Sequence, residues 1–103
     1  MKNPSINQAV ITKNQNQILV EGPLTQETVV SAYAACVNLF VAQQACEINL
    51  AAVTDCDSAG LACIIELLRE AKAQQIQLQF NYAPQQMRDL SLVNGLDPIL
   101  NLN

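Results

Sequence analysis

The residues best placed to do chemistry stand together in residues 55–61, which read DCDSAGL. The segment follows an apolar run and precedes an amphipathic pattern, so it is predicted to join a strand to a helix. The carboxyl ends of strands are where sites form in open α/β sheets. Ser58 is predicted to cap the helix, beside Asp55 and Asp57. A D-x-D pair can also hold Mg²⁺ or accept phosphoryl groups, so an enzyme that uses Asp55 and Asp57 is a third alternative. The further carboxylates and the basic phosphate clamp that such a site needs are not visible, so no metal or cofactor is expected.

The cysteines predict no redox or metal chemistry. Cys36, Cys46, Cys56 and Cys63 follow one another at steps of 10, 10 and 7 residues, so there is no C-x-x-C pair. They are expected to be reduced and mostly buried. Cys56 is the expected exception, in a polar loop between two aspartates. Their negative charges would raise the pKa of its thiol, which argues against a nucleophile.

Composition excludes several classes of function. The 103 residues fit a single domain, residues 1–103. There is no histidine, which excludes every Ser-His or Cys-His nucleophile. Five Lys and Arg against nine Asp and Glu give a net charge of −4, which argues against nucleic-acid and anionic-lipid binding. With no signal-peptide pattern and no apolar run of about 18 residues, we expect a cytoplasmic protein that does not insert into a membrane.

Hydrophobic spacing predicts the element order β-β-α-β-α-β-α. The strict alternation in residues 76–82 predicts a sheet with one apolar face, so the helices must cover that face. The β-α-β passages require parallel neighbours, and an opening hairpin adds an antiparallel strand. The fold class is therefore α/β, a mixed sheet of about four strands with helices on one face. Strands are predicted at residues 6–12, 17–21, 47–53 and 76–82, and helices at 26–43, 58–74 and 84–93, with a short terminal helix or turn after Gly95.

Local sequence signals predict where the elements begin and end and which side chains face the core. Thr25 is expected to cap the first helix, and residues 22–23 (Gly-Pro) are expected to end the second strand. Residues 54–57 are expected to form a polar loop. One apolar stripe is predicted to pack in the core, namely Val29, Tyr33, Cys36, Val37 and Phe40 in the first helix. In the third helix Met87, Leu90 and Val93 are spaced by three residues, and in the last strand Ile76, Leu78, Phe80 and Tyr82 share the apolar face.

Three segments together resemble a known family. Residues 20–25, 48–53 and 57–61 are similar to the corresponding parts of STAS domains, and the element order matches over nearly the whole chain. The resemblance implies a STAS-like fold without catalysis, which docks on a protein partner through the loop and helix start. The residues expected to bind the partner are Asp55, Cys56, Asp57, Ser58, Ala59, Gly60 and Ala62.

Two branches of the STAS family compete. Residues 90–100 are similar to STAS subunits of Mla-type ABC transporters, which implies a subunit that binds the transporter ATPase. Such a subunit supports phospholipid transport and outer-membrane lipid asymmetry, and it meets the inner membrane only through its partner. The alternative is an anti-sigma-factor antagonist, with an anti-sigma kinase as partner and Ser58 as its phosphorylation site. Ala59 and Thr25 depart from that branch, in which Ser or Thr and Asp are common at these positions.

Overall fold

A computed structural model describes residues 8–100 and residue 102. Its elements follow the predicted order and include the short terminal helix. Within these residues, no helix combines the length and the hydrophobicity that a membrane span requires. The elements are β1 (Val10–Asn14), β2 (Gln17–Leu24), α1 (Val29–Leu39), β3 (Cys46–Cys56), α2 (Ser58–Ala73), β4 (Leu78–Asn81), α3 (Gln85–Val93) and α4 (Asp97–Leu100).

The four strands form one mixed sheet in the order β1-β2-β3-β4. β1 and β2 are antiparallel and joined by a two-residue turn, in which Gln15 has a φ of 55°. β2 pairs with β3, and β3 with β4, in parallel. The predicted fold class is therefore confirmed. The first strand was predicted too early: the short turn lets it continue to Asn14, and residues 6 and 7 lie outside the described part of the chain.

The core lies on one face of the sheet. In the middle strands Ile18, Val20, Ile48 and Leu50 are buried at every second position, which is the alternation that a sheet with one covered face requires. The helices cover these side chains with their own apolar residues. The main helical contributions to the core are Ala32, Cys36, Leu61, Cys63, Ile64, Leu67, Ala71 and Met87.

Both central strands are longer than predicted. β2 runs through Gly22 and Pro23 instead of ending there, because β3 supplies a parallel partner as far as the Leu24–Cys56 pair. The pairing has two register shifts, one between Leu19 and Glu21 and one between Gly22 and Pro23. Gly22 adopts a φ of 100°, a conformation that glycine reaches without strain. The predicted loop 54–57 is therefore wrong for residues 54–56, which belong to β3.

The first helix is shorter than predicted at both ends. It begins after Thr28 and not after Thr25. The Thr28 hydroxyl donates to the carbonyl of Pro23 at 2.8 Å and accepts from the N–H of Thr25 at 3.0 Å, so it stabilises a turn before the helix. The helix ends at Leu39 because Phe40 is already extended.

Two residues that the sequence pattern groups with apolar neighbours are exposed, Val93 in the third helix and Tyr82 at the end of the last strand. Val93 is 83% exposed, because the buried face of α3 is formed by Met87 and Ser91 and the helix ends at Val93. Tyr82 is 63% exposed and has a φ of 62°, since it follows the last residue of β4 and the strand alternation no longer applies.

Candidate functional site

The candidate site is built around the first turns of α2, which start directly after β3. Asp57, and not Ser58, caps the helix: its Oδ1 accepts from the N–H of Gly60 at 3.0 Å. Its Oδ2 accepts from the N–H of Gln26 at 3.0 Å, which ties the start of α2 to the turn before α1. The predicted capping role of Ser58 is therefore wrong. Ser58 is the first residue of the helix and is exposed.

The carboxyl group of Asp57 is held in its charged form. Desolvation acts to raise its pKa, but hydrogen bonds from the backbone N–H groups of Gln26, Gly60 and Ala59 outweigh it. The net pKa of Asp57 lies below its ordinary value. A carboxylate that accepts backbone N–H bonds at a helix start is stabilised in this way.

The substitution Asp57→Asn is expected to lower the free energy of unfolding by about 1 kcal/mol near neutral pH, because it keeps one acceptor oxygen and loses the charge. The folded-state pKa of Asp57 is depressed. Its contribution is therefore present above about pH 4 and is lost as the pH falls through the folded-state pKa. Thermal unfolding of both proteins at about pH 7 and about pH 3 should show the gap shrinking in acid. A gap that is equal at both pH values would contradict this role.

Two of the predicted contact residues are buried. Cys56 is only 2% exposed, so its predicted position in a polar loop is wrong. Burial, followed by the charges of Asp57 and Asp55, raises the pKa of its thiol to about 11. Gly60 packs against the end of β2, where an added Cβ would overlap the carbonyl oxygen of Leu24 and lie 2.9 Å from the Cys56 Sγ. Cys56 and Gly60 thus position α2 and offer almost no surface to a partner.

The other cysteines are buried thiols, as predicted. Burial is the main cause that raises the pKa of Cys36 to about 12 and that of Cys63 to about 11. The raised pKa values keep these thiols protonated, whereas the thiolate is the form of cysteine that attacks substrates and binds metals. These side chains therefore act as small core residues. Within residues 8–100 and residue 102, no three His, Cys, Asp or Glu side chains are grouped to hold a metal ion.

The remaining predicted residues do lie together at the surface. Asp55, Ser58 and Ala62 are exposed, and Asp57 and Ala59 are half-buried. The structure adds α3 to this surface: the Gln86 Nε2 donates to the Asp55 Oδ1 at 3.1 Å. The site therefore includes a helix that the sequence motif did not indicate.

An open groove between α2 and α3, the α2–α3 groove, adjoins Ser58. It encloses about 690 Å³. It is lined by two carboxylates, Asp57 and Asp89, and by two apolar side chains, Leu90 and Val93. Among the residues that the structure describes, no Lys or Arg lines it. The remaining lining residues are Cys56, Ser58 and Gln86.

A second groove, the α1–α2 groove, lies on the other side of the α2 start. It encloses about 440 Å³ and is almost entirely apolar. The predicted residues Ala59 and Ala62 are on its α2 wall. Val29 and Tyr33, which were predicted to be core residues, are only half-buried on its α1 wall. The remaining lining residues are Val30, Cys63 and Glu66.

Comparisons with known proteins agree with this architecture. A family model described as "Mlab, STAS domain" matches residues 7–101. The chain is similar to the crystal structure of an anti-sigma factor antagonist from Mycobacterium paratuberculosis, with a TM-score of 0.61 and 19% identity over 91% of this chain and 82% of that one.

A second solved structure, described as Mglu, has a TM-score of 0.57 and 18% identity and covers 74% of this chain. The present chain spans only 19% of that protein's length. At this level of identity both likenesses concern the fold alone. No curated protein matches the chain. Because the family model covers nearly all the described residues and the fold agrees, the chain belongs to the STAS domain family.

Proposed function

We propose that this STAS domain is a docking subunit without catalysis of its own, which binds and supports the ATPase of a phospholipid ABC transporter. The observation that carries the proposal is the exposed start of α2, which presents Ser58 and Ala62 between two open grooves. The description of the matching family model supports this branch of the family. The proposed role is the maintenance of outer-membrane lipid asymmetry, performed in the cytoplasm at the inner membrane through the partner.

The physical character of this surface supports a protein partner. Val30 and Val93 are 81% and 83% exposed on opposite sides of the α2 start. Val30 lines the α1–α2 groove and Val93 lines the α2–α3 groove, so each groove has an exposed apolar side chain that a protein partner could cover. The small side chains of Ala59 and Ala62 allow the partner's backbone to approach α2 closely, while the aspartates supply a polar rim.

The proposal is tested by purifying the tagged chain from its own host and identifying bound proteins by mass spectrometry. We expect an ABC transporter ATPase. Ser58→Arg is expected to weaken its recovery at least about tenfold, because the long side chain enters the α2–α3 groove. The cost to the fold is small, about 0.3–1 kcal/mol from the positive charge at a helix N-terminus. Ser58→Ala is the matched control and should retain the ATPase. Capture of no ATPase, or full recovery with Ser58→Arg, would contradict the proposal.

A second candidate function is an anti-sigma-factor antagonist switched by phosphorylation of Ser58. The similarity in fold to such an antagonist supports this function. A second support is the position of the exposed Ser58 hydroxyl at the N-terminus of a 16-residue helix, where a phosphate group is stabilised. The acidic surroundings oppose it: Asp57 precedes Ser58, and Asp89 lines the same groove. A phosphoserine adds about two negative charges there.

The two functions are distinguished by incubating the protein with ATP and extract of its host and then analysing the peptide that contains Ser58. A phosphate on Ser58, together with capture of a kinase, would support the antagonist. An unmodified Ser58 in cells from every growth phase, together with capture of an ATPase, would support the transporter subunit.

A further inference from the structure

The exposed side of α1 lacks the charged residues that a solvated helix normally carries. Its sequence from Val29 to Leu39 contains no Asp, Glu, Lys or Arg. The side chains that it exposes are Val30, Ser31, Ala34 and Asn38. A surface helix with one face in water usually has charged residues on that face. The exposed side of α1 therefore has the composition of a covered surface.

The α1–α2 groove restricts what could cover it. Both walls are formed by helices, so neither presents a strand edge to a bound segment. An extended segment in this groove would find no strand edge with which to pair its backbone, and buried unpaired backbone groups are costly. A helix satisfies its own backbone and can place apolar side chains at positions i, i+3 or i+4, and i+7 in such a groove.

The charges at the groove are predominantly acidic. Glu66 lines the groove and is half-exposed, and it pairs with Arg69 at 3.1 Å on the surface. Glu70 lies one turn further along α2. Desolvation is the main cause that raises the pKa of Tyr33 on the opposite wall, and the negative charges of Glu70 and Glu66 raise it further. Two glutamates and one arginine lie along this part of α2, so the rim of the groove has a net negative charge. Such a rim is complementary to a basic flank, that is, to Lys or Arg side chains beside the apolar face of a bound segment.

We propose that the α1–α2 groove binds an amphipathic helix of the partner ATPase, with apolar side chains in the groove and Lys or Arg facing Glu66 and Glu70. This inference rests on the proposed function and names the element of the partner that the groove receives. It adds a contact distinct from the Ser58 side of α2.

The occupant is identified by photo-cross-linking in the intact complex. A benzophenone amino acid replaces Val30, which is 81% exposed, or Ala73, which is exposed near the other end of α2. We expect cross-links from position 30 to a helical, Lys- or Arg-containing segment of the ATPase, and few from position 73. If the ATPase co-purifies but position 30 links to lipid, to a second copy of the chain or to nothing, the inference is wrong and the proposed function stands. If no ATPase co-purifies, the proposed function itself fails.

The basic flank is tested by charge reversal. Glu66→Lys is expected to raise the Kd for the purified ATPase about tenfold at about 0.05 M salt and much less at about 0.5 M salt. Glu21→Lys changes the net charge equally at an exposed position on β2, and it should change the Kd less than about twofold. Equal effects of the two variants would show that only the overall charge matters and would overturn the proposed basic flank.

Discussion

Gly60→Ala is expected to lower the free energy of unfolding by about 2–3 kcal/mol, although alanine is the better helix former. The added Cβ would overlap the carbonyl oxygen of Leu24 and crowd the Cys56 Sγ at 2.9 Å. The carbonyl belongs to β2, which is paired with β3 at this point, so it cannot move aside without disturbing the sheet. The helix must then shift away from the core. Thermal unfolding should show a midpoint lower by roughly 10–20 °C.

Gly95→Ala is the matched control for this prediction. Gly95 has a φ of 70°, but an added Cβ there meets nothing within 4 Å. That substitution carries only the cost of the left-handed conformation, about 1 kcal/mol. If Gly60→Ala unfolds at the wild-type temperature, or costs no more than Gly95→Ala, the close packing of α2 on β2 does not determine the position of the site.

Ala62→Arg is expected to reduce ATPase binding at least about a hundredfold, with little change in thermal unfolding. Ala62 is exposed on α2, and arginine is a good helix former, so the fold should tolerate the change. The introduced guanidinium lies four residues before Glu66, where an ion pair along the helix would hold it over the α1–α2 groove. It would thus occupy the space in which the partner's apolar side chains are expected.

Ala73→Arg is the matched control for the second prediction. It introduces the same side chain on the same helix at another exposed alanine, about 16 Å further along the axis. Binding that is lost equally in both variants would indicate an effect of charge or of helix stability. Binding that is retained with Ala62→Arg would remove the α1–α2 groove from the interface.

The sequence was most informative where structure depends on neighbouring residues. α2 was predicted to within one residue at its C-terminus, because a 16-residue amphipathic pattern specifies a helix locally. The end of α3 at residues 94–95 and the two parallel pairings also followed from local signals and chain connectivity. The charge balance and the lack of histidine likewise need no structure to be interpreted.

Where structure depends on residues distant in the chain, the predictions were wrong or incomplete. Asp57 caps α2 and also accepts from Gln26, 31 residues earlier, so its role could not be read from the helix start alone. Cys56 is buried because β2 extends far enough to pair with it.

The sequence by itself determined the family resemblance, the element order and the segment around which the site is built. The two grooves exist only because α1 and α3 pack on either side of that segment. The surface is therefore a product of helix packing, in which side chains from separate elements meet, and a pattern along one segment cannot specify it.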